Sequence, residues 1–214
     1  MLIKSVGAFT IALTPWLVVP RAVLAQPPKA ATYITDDEVK TVNATPGIDR
    51  TIRVVDIGNE NFAVAIIHRV AAAPGAGRAG GAAPAAGAGA AESCGEQAAN
   101  PPADGVSGIT HDSQTEGYVI VSGGGTLVTG GHIVNGRKSA PNAPVTTELN
   151  GPSCSGMIVG SDVVKRQVKI GDIIIIPAGV PHGWIDIVDH VDYLSLRPSD
   201  HVLQAGYVHP SIRK

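Results

Sequence analysis

From Thr51 onward the chain is a succession of short runs in which apolar and polar residues alternate with a period near two. "TIRVVDIG" and "NFAVAIIHRV" are β-branched runs joined by the turn-forming "GNEN", which predicts a pair of strands. Beyond Gly105 come "GITH", "EGYVIVS", "TLVTG", "GHIVNG", "DVVKRQVKI", "DIIIIPAG", "HGWIDIV" and "HVDYLSLRP", parted by Gly, Asn, Pro or Asp. No 3.6-residue apolar period of useful length appears among them. Many short strands at near-regular spacing predict an all-β fold, an antiparallel sandwich or barrel. "SGGG", residues 122–125, predicts a tight hairpin, because glycine adopts positive φ without a Cβ penalty.

Three stretches stand outside this pattern. "MLIKSVGAFTIALTPWLVVPRAVLAQ" combines Lys4, an apolar run broken by Pro15 and a Val-x-Ala end, which is the pattern of an export signal cut after Ala25. Its apolar run is too short and interrupted to span ~30 Å of hydrocarbon. Residues 26–49 read as an N-terminal arm with one short strand near "ATYIT". Residues 71–105, almost all Ala, Gly and Pro at first, offer too little to bury to offset ordering entropy and read as a flexible insertion. The strands on either side are too few for separate cores, so 50–198 is one interrupted domain, followed by a tail, 199–214, that forms a turn or short helix.

Composition changes this picture in two places. The 44% apolar content includes the alanines of the insertion, while aromatics are only 4%, so the folded unit is smaller than the chain. Removal of residues 1–25 leaves 14 basic against 18 acidic residues, a net charge that disfavours nucleic acid as a partner. Export places the two cysteines in an oxidising compartment, periplasmic or extracellular, which favours a Cys94–Cys154 bridge over two free thiols. Such a bridge would contribute ~4 kcal/mol if unstrained. Neither cysteine lies in a Cys-x-x-Cys, which disfavours the pair as a metal site.

Candidate chemistry gathers on three residues. His111 and Glu116 are five apart and would face opposite ways on one straight strand; "DSQT" between them turns the chain, so that His111 ends one strand and Glu116 begins the next as its cross-strand neighbour. His182 follows a proline–glycine turn in "GDIIIIPAGVPHGW". Tyr118 and Trp184 lie two residues beyond Glu116 and His182, so alternation sends each to the same side as its neighbour, to line either a pocket or the core.

These residues resemble the cupin superfamily over roughly residues 50–198. Gly171, Pro177, Gly179 and His182 match its second motif, a glycine, five residues, then Pro-x-Gly-x-x-His. The first motif is matched in part, by His111 and by Glu116 through Gly131; Ile109 stands where the first histidine of a His-x-His pair is usual, and Asp186 where an asparagine often follows the second motif. The resemblance implies a jelly-roll barrel with one divalent metal, Fe, Mn, Ni, Cu or Zn, on His111, Glu116 and His182. It implies a small-molecule substrate, with Glu116 accepting a proton, Tyr118 orienting the substrate, and Tyr118 and Trp184 in the pocket. Oxygenase chemistry, lyase or isomerase chemistry, and a non-catalytic cupin with a degenerate site at Ile109 all stay open. His68, on the strand entering the insertion, is a further candidate ligand. Four residues, Ile173–Ile176, cannot cross a bilayer; their outward isoleucines suit a partner subunit, hence a homodimer.

Overall fold

The computed structural model describes residues 30–71 and 92–213. Residues 1–29, with the expected export signal, and residues 72–91 of the expected insertion lie outside the described residues. The strands are β1 (Asp49–Asp56), β2 (Asn61–Val70), β3 (Ser93–Cys94), β4 (Val106–His111), β5 (Glu116–Thr129), β6 (His132–Lys138), β7 (Ser153–Val159), β8 (Val164–Lys169), β9 (Ile173–Ile176), β10 (His182–Ile185) and β11 (His190–Ser199). Every ladder among them is antiparallel. The all-β expectation holds.

Two sheets share one long strand. In the first the order is β1-β2-β11-β5-β9, and in the second β8-β5-β10-β4-β7-β6-β3. The hydrogen-bonded path does not close on itself, so the jelly roll is a two-sheet sandwich with free edges and not a sealed barrel. The hairpin expected at "SGGG" is corrected here: β5 runs straight through it. Residues up to Gly123 pair with β11, and residues from Gly124 onward pair with β8. Gly123 has φ +62°, and a Cβ there would lie 2.0 Å from the His190 carbonyl oxygen. The glycines therefore let a single strand bend from one sheet to the other.

Between the sheets the interior has two halves of opposite character. On β11 the inward row runs Val191, Tyr193, Ser195, Arg197, Ser199, all buried, from apolar to polar. On β5 and the residues before it the inward row is Ile120, Tyr118, Glu116, Gln114, again buried and increasingly polar. The apolar half is completed by Ile67, Leu127, Val168 and Ile176. The β6–β7 connection, with a short π-helical turn at Val145–Leu149, lies against the polar half: Thr51 Oγ1 donates to the Glu148 carbonyl at 2.6 Å.

The arm departs from the strand expected near "ATYIT". A helix, α1 (Asp36–Asn43), follows it, closed by a capping box in which Thr35 accepts from the Glu38 N–H and Glu38 accepts from the Thr35 N–H. Val42 buries against Ile52 and Ile66 on the outer face of the first sheet. Within the insertion span, Ser93–Cys94 pairs with Arg137–Gly136. Cys94 and Cys154 form a disulfide with Cα atoms 6.0 Å apart, closing a separation of 60 residues. The tail contains a 3₁₀ turn, Pro210–Ile212.

Candidate metal centre

Three strand ends deliver the candidate ligands. His111 is the last residue of β4, Glu116 the first of β5 and His182 the first of β10. His111 and Glu116 are not cross-strand neighbours, as the sequence suggested: β4 pairs with β7 and β10, and the two side chains meet across the interior. The turn Pro177–His182 is tied to this corner by its own backbone. The Gly179 N–H, at φ +81°, donates to the His111 carbonyl at 2.8 Å, and the Gly130 N–H donates to the Pro181 carbonyl at 3.0 Å. Glycine is needed at 179 because the left-handed conformation turns that N–H back toward β4.

Glu116 Oε2 lies 3.3 Å from His111 Nε2 and 3.1 Å from His182 Nε2. All three side chains are buried, and their ligand atoms lie within 4.8 Å of one another. The Tyr118 hydroxyl donates to the same oxygen at 2.6 Å. The other carboxylate oxygen, Oε1, accepts from Arg197 Nε at 2.8 Å and from the Ser195 hydroxyl at 3.0 Å. The register that sets Gly117 opposite Leu196 and Gln114 opposite Ser199 puts Glu116 and Arg197 side by side on the inner face. Arg197 spends its remaining donors on the Leu149 carbonyl at 2.8 Å and on Asp49 Oδ2 at 2.6 Å.

The electrostatics follow from this wiring. Burial by itself would raise the Glu116 pKa; the Arg197 charge and hydrogen bonding to the two imidazoles outweigh it and hold the carboxyl well below the usual range. Burial pushes the His111 imidazole down, against the opposing pull of Glu116. Burial, then the Glu116 charge, pushes the Tyr118 phenol well above its ordinary value, so it stays a donor. His182 Nδ1 sits 3.1 Å from the Val180 carbonyl, which can only accept, so Nδ1 carries a proton; Nε2 faces Glu116 and either bears a second proton, as a hydrogen bond to the carboxylate requires, or offers its lone pair to an ion. Two acceptors 3.1 Å apart need a cation between them, either a second imidazole proton or a metal ion. A pair of imidazoles and one carboxylate suits Fe(II), Mn(II), Ni(II), Cu(II) or Zn(II), so the residues present fit a divalent ion.

The remaining candidates fall in different places. Tyr118 is at the centre, its ring edge-on to His182 with centroids 6.1 Å apart. Trp184 packs into the apolar half, stacked on Tyr193 at 5.4 Å. Ile109 lies directly opposite His182 in the β4–β10 register and on the same strand face as His111, so a hydrocarbon side chain flanks the two imidazoles. His68 does not join the centre; its Nδ1 pairs with Asp192 at 2.5 Å and its ring stacks on His190. Sequence reasoning missed Arg197, Ser195 and Gln114. The signal was present: in "HVDYLSLRP" Arg197 alternates in step with Tyr193, and a charge at an inward strand position is either an error of reading or a buried partner.

No family model matches the chain, and no curated protein matches it. Solved structures similar to it include a protein with a double-stranded β-helix domain from Klebsiella pneumoniae subsp. pneumoniae MGH 78578, at 14% identity and TM-score 0.37, covering 81% of this chain and 94% of that one. A cupin protein from Bacteroides fragilis matches at 13% identity and TM-score 0.30, covering 72% and 78%. KdgF from Halomonas sp. matches at 13% identity and TM-score 0.32, covering 73% and 82%. The chain's own fold is two antiparallel sheets sharing β5, a jelly roll with the Gly171, Pro177, Gly179 and His182 turn at the corner where His111 and Glu116 meet.

Proposed function

We propose that the protein is an exported, mononuclear metal-binding cupin that acts on a small organic molecule, with His111, Glu116 and His182 as the ligands. The observation that carries the reading is the convergence of His111 Nε2 and His182 Nε2 on one carboxylate oxygen, Glu116 Oε2, at 3.3 and 3.1 Å in a buried site. When bound, the ion would supply Lewis acidity or an oxygen-binding centre, the latter with a redox-active metal. Arg197 and Ser195 hold Oε1, so Glu116 offers Oε2 alone to the ion. A carboxyl held this far below its usual range is a weak base, so we assign Glu116 the role of ligand before that of proton acceptor. Tyr118 keeps its proton and donates it toward Oε2, which equips it to orient a substrate oxygen at the same corner. Oxygenase and lyase or isomerase chemistry are both compatible with these roles.

A second reading, a ligand-binding cupin without catalysis, is favoured by Ile109, which takes the place of a fourth ligand. The two are separated by elemental analysis of the exported mature protein, residues 26–214, prepared without chelator or added histidines, beside His182→Ala. Near-stoichiometric metal in the parent that is lost in the variant supports the centre. Metal-free protein that fails to take up any of several divalent ions overturns it in favour of the second reading.

Export is supported by the Cys94–Cys154 disulfide and by the N-terminal pattern. Among the described residues no helix is long and apolar enough to cross a membrane. The homodimer is supported by β9, which among the described strands pairs only with β5 and leaves Ile173 and Ile175 72% and 73% exposed on its outer face.

A further inference from the structure

We infer that Gln114 is a substrate-recognising group of the metal centre, and that the molecule it takes is small and vicinally oxygenated, with one oxygen for the ion and a hydroxyl for Gln114. The inference deepens the metal-centre reading and rests on it. Gln114 is 1% exposed, yet neither its Oε1 nor its Nε2 has a hydrogen-bond partner among the described residues. A buried carboxamide with both ends unmade is costly, and such groups persist where something else completes them.

Its direction is fixed by register. Gln114 bridges to Ser199 and continues the β5–β11 ladder in which Gly117 opposes Leu196, so Gln114 and Glu116 point to the same inner face two residues apart. Their Cα atoms are thus about 6–7 Å apart, within the reach of one small molecule. The turn reading of "DSQT" is thereby narrowed: Asp112 and Ser113 are exposed, and Gln114 is already inside.

The chemistry of the ligand follows from what Gln114 offers. A carboxamide presents an acceptor and a donor side by side, and a hydroxyl answers both with one atom. A carboxylate would answer only the N–H and leave the carboxamide oxygen of Gln114 unmade. Arg197 is committed to Glu116, Ser195, Leu149 and Asp49.

The test uses the full mature chain loaded with Mn(II), and two probes of equal heavy-atom count: hydroxyacetone, which carries a carbonyl beside a hydroxyl, and butanone, which lacks the hydroxyl. Paramagnetic relaxation of probe protons reports binding near the ion. Hydroxyacetone is expected to bind roughly tenfold better than butanone, and Gln114→Met to erase that preference while Mn(II) stoichiometry is unchanged. In metal-free protein Gln114→Met should raise the melting temperature by about 2–4 °C, because it removes unmade hydrogen bonds and keeps the volume. No preference in the parent, a preference that survives the substitution, or a fall in melting temperature each overturns the inference. Should the methionine variant fail to fold, Gln114→Asn, which draws the amide back by one methylene, must lose the preference. Failure to bind Mn(II) at all is a separate result: it defeats the metal-centre reading, and this inference with it.

Discussion

Arg197 Nε donates to Glu116 Oε1 at 2.8 Å and, with the Ser195 hydroxyl on the same atom, leaves Oε2 to face the two histidines. Both partners are buried, and the same guanidinium also holds Asp49 and the Leu149 carbonyl. Arg197→Met therefore removes the guanidinium charge from buried Glu116 and from part-buried Asp49, at a cost of about 3–5 kcal/mol. Urea unfolding of the metal-free variant measures that loss. Weaker metal retention in the folded fraction is expected as well, since Oε1 of Glu116 is then held by the Ser195 hydroxyl without the guanidinium; full retention of both stability and metal would contradict the arrangement.

Ile109→His tests whether a fourth ligand can be added. Ile109 faces His182 in register and shares a strand face with His111, so an imidazole there points at the same corner. A fourth bond worth about 1.4 kcal/mol raises affinity roughly tenfold, which competition against a chromophoric chelator would detect. Unchanged affinity would mean that the side chain at 109 does not reach the ion.

The metal-free protein should lose stability on acidification, with a sign set by two groups. The folded-state pKa of His111 is lowered by burial, so the unfolded chain takes up its proton first, near the ordinary value of about 6.5. Stability is full above that pH and falls below it. Glu116, whose folded pKa is depressed, acts in the same direction at lower pH: its contribution is present above the unfolded value of about 4.3 and is lost as pH falls through the folded one. Chemical unfolding at a series of pH values should show a decline that begins between pH 7 and 6, and His111→Asn should flatten that first limb.

The disulfide closes a separation of 60 residues and pins the two-residue strand β3 against the second sheet. Cys94→Ser with Cys154→Ser is expected to cost about 4 kcal/mol of unfolding free energy. An equal loss should follow reduction of the parent under native conditions. A loss below about 1 kcal/mol would mean that the chain outside the bridge already restrains the denatured state.

Ile175→Lys places a charge on the exposed face of edge strand β9. If two copies meet there, light scattering should show the parent as a dimer and the variant as a monomer, with the metal retained in both. A monomeric parent would remove the homodimer from consideration.

Period-two patterning made the fold class legible, because side chains of a sheet with one buried face must alternate whatever their order in space. It also exposed His182, since a proline–glycine turn just before a buried strand is a local feature. It misjudged "SGGG", where local glycine chemistry permits either a hairpin or a strand that bends between sheets; only the presence of both β11 and β8 as partners selected the second. The Thr35–Glu38 capping box was equally local and was legible in "TDDE", yet the helix it starts is held by Val42 against Ile52 and Ile66, contacts that no local pattern contains.

The sequence by itself determined the all-β class, the turn chemistry around Pro177 and Gly179, the identity of His111, Glu116 and His182 as the residues able to hold an ion, and the two cysteines available to pair. Only the tertiary structure decided that Glu116 presents one oxygen, that Arg197 sits opposite it and that Gln114 points inward without a hydrogen-bond partner among the described residues. Those facts belong to the register between β5 and β11, whose paired residues lie about eighty positions apart in the chain. Strand alternation states which face a side chain takes; which side chain it meets there depends on how distant strands align, and that is set by packing the whole interior.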